Sequence, residues 1–270
     1  MISAIFCYYV LVTASMYWLS PWLMTLRSLY MATTTTNGSQ TPIEFYLTLD
    51  ATFYWLDNRH SLVGYVIYSL VILFVFCFAA YSNATKLITI LSSIKYCSTL
   101  LHVISVSIDQ LDRIPPTKTE HELKKIVRMH HIALRCVTLL ERTLNPVMAL
   151  QFVFCMLTWC LMLLYIVIVG FNVNVLNGML VMSNLTLEMF GYCFLGTELA
   201  TTGATIARQS YQFRWEQHSP DVRKTLQMIM MRSQKPLRLT AGGFISVNVE
   251  QFTMVVKTSY SILIVLKDVI

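Results

Sequence analysis

Long runs without charge set the pattern of this chain. Positions 2–26 and 61–85 each carry no charged residue across 25 positions, and 147–169 is a third such run. Each exceeds the roughly 20 residues that a helix needs to cross a bilayer. The first run lacks a basic leading segment and is too long for the apolar part of a signal peptide, so it reads as a span. Two further apolar stretches are interrupted, 184–208 by Glu188 and Glu198, and 252–266 by Lys257. Ionisable groups within spans usually face a bundle interior or an aqueous cavity, so both stretches are also read as spans. The predicted fold class is all-α, a polytopic membrane helical bundle of five spans.

Between the spans the pattern becomes amphipathic. Lys86, Lys95 and His102 interrupt 82–111, yet no Gly or Pro appears before Pro115-Pro116, so the second span is expected to continue as a helix beyond the membrane. Leu123, Ile126, Val127, His130, Leu134, Val137 and Leu140 then recur at helical spacing. A third such region, 211–238, sets Trp215, Leu226, Ile229 and Met230 on a basic background. These three regions predict a packed cytosolic layer. The resulting organisation has two spans within 1–111, an outer loop at 27–60 and a cytosolic helix extension. A cytosolic amphipathic region follows at 112–146, then two spans within 147–208, an anchor segment at 209–250 and a terminal helix at 251–270.

Composition strengthens the membrane reading. Hydrophobic residues make up 56% of the chain and charged residues 13%, about half the usual share for a soluble domain. The net charge of +6 would suggest nucleic acid in a soluble protein, but here its distribution matters more. Arg113, Lys118, Lys124, Lys125, Arg128, Arg135 and Arg142 crowd the segment between the second and third spans. Arg214, Arg223, Lys224, Arg232, Lys235 and Arg238 precede the last. The intervening segments are acidic or uncharged. The positive-inside rule therefore predicts a cytosolic N-terminus and an extracellular C-terminus, with no nucleic-acid partner. Asn37-Gly38-Ser39 then falls in an outer loop, making Asn37 a glycosylation candidate.

Catalytic chemistry is absent from the pattern. The seven cysteines show neither disulfide nor zinc spacing. His130 and His131 are adjacent, and neighbours on a helix point about 100° apart, which is poor geometry for one metal. Glu188 and Glu198 are ten residues apart, about 15 Å along a helix, too far for paired carboxylates. No phosphate loop, nucleophile elbow or zinc-protease motif occurs. Neither an enzyme nor a cofactor or metal site is expected.

Several motifs nevertheless occur in a specific order. Cys193-Phe194-Leu195-Gly196 precedes Glu198-Leu199, and Tyr211-Gln212-Phe213-Arg214-Trp215 follows. Gln234-Lys235-Pro236, Thr240-Ala241-Gly242 and a closing Phe252 with Lys257-Thr258-Ser259-Tyr260-Ser261 complete the set. Taken in order, they resemble the signature of the insect odorant receptors, a seven-span family. The resemblance covers nearly the whole chain and is densest in the last ninety residues. Counted from the end, the five spans correspond to the family's third through seventh, so a fragment, a splice form or a degenerate gene inactive alone is among the expectations.

The resemblance implies an odorant-specific subunit of a ligand-gated cation channel in the plasma membrane. Its expected partners are a shared co-receptor in a heterotetramer, the lipid bilayer and a small volatile ligand. The last helix would line the pore, with Tyr260, Leu263 and Leu266 at the gate. Helical periodicity instead groups Lys257, Ser261, Ile264 and Asp268 on the opposite stripe, and both stripes cannot face one pore. Outer-half candidates for the ligand pocket are Ser15, Tyr17, Trp18, Tyr65, Tyr68, Leu185, Met189 and Tyr192. An interfacial aromatic belt explains the Tyr and Trp positions equally well. The alternative is a non-conducting membrane protein, either a G-protein-type receptor or an assembly subunit.

Overall fold

The computed structural model describes residues 2–34, 45, 47, 61–170 and 172–269. Asn37 lies outside them. Six helices follow in order: α1 (Ile2–Thr34), α2 (Leu62–Gln110), α3 (Pro116–Val169), α4 (Val173–Gln212), α5 (Pro220–Gln234) and α6 (Val249–Val269). Between α5 and α6 lies a two-stranded antiparallel hairpin, β1 (Thr240–Ala241) and β2 (Ile245–Ser246), in register Ala241 to Ile245. Among the described residues, Leu62–Arg113, Thr117–Val169 and Val175–Gln212 are long and apolar enough to cross a membrane. They carry the second, third and fourth expected spans, while α1 and α6 contain the first and fifth. The fold is thus a helical membrane bundle, as the charge-free runs predict.

Local sequence explains the helix ends. Pro116 and Pro220 occupy the first positions of α3 and α5, where a missing N–H removes no helical bond. Gly170, with φ +76°, stops α3 in a conformation that side chains with a Cβ disfavour. Asn172 Oδ1 accepts the Val175 amide at 2.9 Å, and Asn248 Oδ1 accepts that of Gln251 at 2.7 Å, capping α4 and α6. Gly242 and Gly243, at φ +65° and +81°, turn the hairpin.

Contacts divide the chain into two compact units. The first comprises residues up to Ile88 with Ile168–Asn184. Its buried side chains include Val10, Thr13, Thr25, Tyr65, Tyr68 and Ile72. Tyr9 Oη and Ser183 Oγ are 2.6 Å apart, and Asn184 Nδ2 donates to Thr13 Oγ1 at 2.5 Å, tying α1 to the start of α4. On α2, Phe74, Phe78 and Tyr81 are exposed, a face that suits lipid.

The second unit comprises Thr89–Val167 and Leu185–Ile270. Along α2, Leu91, Ile94, Cys97, Leu101, Ile104 and Ile108 form one buried stripe at three- and four-residue spacing. The buried stripe of α3 is Leu123, Ile126, His130, Ala133 and Val137. It is rotated slightly from the sequence expectation, and Val127 is exposed. The same helix runs unbroken past Pro146 to Val169, joining the amphipathic region to the span that the sequence reading sets apart. Val222, Leu226, Ile229 and Ser233 form the inner face of α5.

Candidate functional site

The root of α6 is held from two sides. Thr240 Oγ1 donates to Glu141 Oε1 at 2.6 Å and accepts from Asn145 Nδ2 at 2.7 Å. The Gly242 amide donates to the Asn145 carbonyl at 3.3 Å. Those bonds fix the hairpin to α3. On the α4 side, the Val249 amide donates to Thr197 Oγ1 at 3.1 Å. A Cβ at Gly196 would lie 2.2 Å from the Val247 carbonyl oxygen, so only glycine allows this approach. The Cys-x-x-Gly motif therefore has a mechanical meaning: it lets the α6 root lie against α4.

Two faces distinguish α6. Val255 and Ser259 are buried and Phe252 is half-buried, its ring 5.6 Å from that of Phe190. Met254, Lys257, Tyr260, Ser261, Ile264 and Val265 are exposed. The polar residues that mark this span in the sequence thus divide, with Ser259 facing inward and the Lys257–Ser261 stripe free. The Leu263 and Leu266 side chains lie outside the described residues. The helical period puts both positions on the stripe of Ser259.

The predicted pocket residues fall in both units. In the first, Ser15 is exposed and its hydroxyl donates to the Val12 carbonyl at 2.8 Å. The side chain of Tyr17 lies outside the described residues. Trp18 packs on Trp22 at 5.7 Å between ring centroids, Trp22 on Tyr65 at 5.6 Å, and Phe45 stacks on Tyr65 at 4.9 Å. Tyr65 Oη pairs with Thr25 Oγ1 at 3.2 Å, and Tyr68 is 1% exposed. Trp22 and Phe45 escaped the sequence reading, although the four-residue step from Trp18 to Trp22 is a visible signal.

The cluster holds two polar atoms without partners. Trp18 Nε1 and Trp22 Nε1 are buried and meet no acceptor among the described residues. Such a donor costs about 1–3 kcal/mol. The contrast within the chain is Trp159, whose Nε1 donates to Thr186 Oγ1 at 2.9 Å. Gln151 Nε2 and Asn184 Oδ1 are also buried without partners.

In the second unit, Met189 and Tyr192 are fully buried and Leu185 is half-buried. The Tyr192 hydroxyl donates to Glu188 Oε1 at 2.6 Å, and Glu188 is 4% exposed. Glu198 instead pairs with Lys95 at 2.5 Å and accepts from Ser98 at 3.2 Å, linking α4 to α2. Both carboxylates of the fourth span thus have polar partners within the bundle, which is how an apolar medium tolerates them. His130 is buried with Nε2 3.5 Å from Ser233 Oγ, whereas His131 is exposed, so the two rings occupy different environments. Among the described residues, no group of three metal-ligating side chains comes together.

The family model described as 7tm Odorant receptor matches residues 2–260. Odorant receptor 19a of Drosophila melanogaster is 25% identical over 159 residues, 58% of this chain and 41% of that protein. Odorant receptor 45a of the same species is 23% identical over 232 residues, 84% of this chain and 57% of that protein. Among solved structures, the olfactory receptor OR5 from Machilis hrabei in complex with eugenol aligns with a TM-score of 0.72 and 20% identity. That alignment covers 99% of this chain and 66% of OR5, and it shows a shared fold. The chain spans about two-fifths of the length of the first curated relatives it matches.

Proposed function

This chain belongs to the 7tm Odorant receptor family, and on that footing we propose that it is the odorant-specific subunit of a ligand-gated, non-selective cation channel. The observation that carries the reading is α6: a helix packed on its own subunit along Val255 and Ser259, with the opposite face free. Four such helices around an axis enclose a path. The partner is an odorant co-receptor subunit in a heterotetramer. The complex sits in the plasma membrane, with the start of α1 in the cytosol and the end of α6 outside. Residues 112–146 and 209–250 form the cytosolic layer that joins subunits, and Asn37 carries the glycan of the outer loop.

The gate lies on α6 beyond Lys257. Tyr260, Leu263 and Leu266 are the positions implied by the family pattern. The burial pattern favours the face of Tyr260 and Ile264 for the water path, because the Ser259 stripe is already occupied by the chain's own packing. A constriction of apolar side chains closes by dewetting and opens when the helices move apart.

The ligand is a small volatile molecule. OR5 binds eugenol, and its shared fold supports a ligand of that size here. Candidates for the pocket are Ser15, Tyr17, Trp18, Tyr65 and Tyr68 in the first unit, and Leu185, Met189 and Tyr192 in the second. Binding opens the channel only if the open state holds the ligand more tightly than the closed state.

Co-expression with a co-receptor in a cell lacking other odorant receptors tests the proposal. A panel of volatiles should evoke cation current that depends on this chain, and an epitope tag after Ile270 should stain intact cells. Surface expression without any chain-dependent current would favour a non-conducting assembly subunit. A tag that stains only permeabilised cells would favour a G-protein-type arrangement.

A further inference from the structure

We propose that Trp18 and Trp22 select volatiles bearing a hydrogen-bond acceptor, such as ketones, over hydrocarbons of the same shape. The proposal rests on the reading of this chain as an odorant-receptor subunit and names the ligand class of its pocket. Trp22 becomes a specificity residue of that pocket together with Trp18.

Three observations combine. Both indole nitrogens are buried and meet no acceptor among the described residues. Both rings belong to one aromatic cluster, Trp18 on Trp22 on Tyr65. The polar group of the third member is already engaged, since Tyr65 Oη lies 3.2 Å from Thr25 Oγ1. The unpaired indole capacity of the cluster is therefore donor only, because an indole N–H cannot accept. Asn184, whose Oδ1 is likewise unpartnered, is bonded to Thr13 and is not one of the stacked side chains.

An interfacial belt does not account for this arrangement. Belt tryptophans sit where the ring meets lipid and the N–H meets water or headgroups. Here both side chains are half-buried against other aromatic rings, and their N–H groups are enclosed. A carbonyl oxygen brought against either donor satisfies a group that the fold leaves unsatisfied, whereas a methylene in the same place does not. Discrimination is steep when an analogue leaves buried polar groups unpaired. One neutral hydrogen bond corresponds to about a tenfold change in affinity.

The test uses matched pairs in which a terminal methylene replaces the carbonyl oxygen. Suitable pairs are 2-octanone with 2-methyl-1-octene and acetophenone with α-methylstyrene, extended over C6–C10 methyl ketones. The full chain is purified with its co-receptor in nanodiscs, and ligand-dependent thermal stabilisation is measured. The same pairs are then applied to expressing cells and current is recorded. Trp18 and Trp22 are each replaced by 3-benzothienylalanine, which keeps the ring shape and removes the N–H.

The expected result is half-maximal stabilisation by ketones at about one-tenth the concentration needed for their alkenes. Replacement at either tryptophan should reduce that ratio and leave the alkene concentration unchanged. Equal binding of ketone and alkene, a preference surviving both replacements, or no binding across the panel would overturn the proposal. A ketone preference in stabilisation without evoked current would uphold the ligand class and remove the channel reading, so the two fail separately.

Discussion

His130 shows how a single residue links the layer packed by α3 and α5 to pH. Burial holds its imidazole below the ordinary value of 6.5, and the positive charge of Arg232 and then His131 add to the effect. The folded layer therefore favours the neutral ring, while the unfolded chain takes up a proton near 6.5. Stability from this group is complete above that pH and is lost as pH falls through the lower folded value. Thermal unfolding of the wild type should shift downward between pH 7.5 and 5.5, and His130→Gln should flatten that dependence. The glycines offer a second contrast at this scale. Gly196→Ala drives a Cβ into the Val247 carbonyl, a rigid neighbour, and should cost about 2–3 kcal/mol in thermal unfolding. Gly170→Ala meets no atom within 4 Å and should cost about 1–2 kcal/mol, from the left-handed backbone alone. If the two cost the same, close packing at Gly196 is not what excludes a side chain.

Helix α3 holds the hairpin that leads into α6. Pro146 supplies no N–H to the carbonyl one turn earlier, yet the helix continues through it, with Leu144 and Met148 buried on either side. The adjacent Asn145 holds the hairpin through both its side-chain amide and its carbonyl. Thr240→Val removes the hydroxyl between Glu141 and Asn145 and leaves two polar groups unpartnered. Unfolding stability should fall by about 1–3 kcal/mol, measured by thermal denaturation, and the current should activate at altered ligand concentrations because the α6 root loosens. The Lys95–Glu198 pair, with side chains 53% and 31% exposed, is a weaker tie. Glu198→Gln should cost no more than about 1 kcal/mol by the same measurement.

At the scale of the whole molecule, the face of α6 proposed to meet a pore is the property most open to test. In a Cys77→Ser background, cysteine at Tyr260 or Ile264 should react with a soluble thiosulfonate and alter the current, while cysteine at Ser259 should stay protected. Rapid modification at Leu263 and Leu266, with Tyr260 silent, would restore the leucine gate implied by the family pattern. The linear pattern alone determined that this is a membrane helical bundle, where its apolar runs fall and how the odorant-receptor motifs are ordered. Bilayer insertion depends on apolar length and charge, which add up along consecutive residues, so a sequence reads them directly. Charge order suffices for the proposed orientation in the same way. The faces were decided only in three dimensions. Ser259 is buried and Tyr260 free because α6 packs along one stripe, and a 21-residue helix with polar groups on both sides does not specify which. The same holds for Trp22. Its four-residue step from Trp18 is visible in the chain, but an indole N–H without an acceptor is a fact about neighbours, and neighbours are what folding supplies.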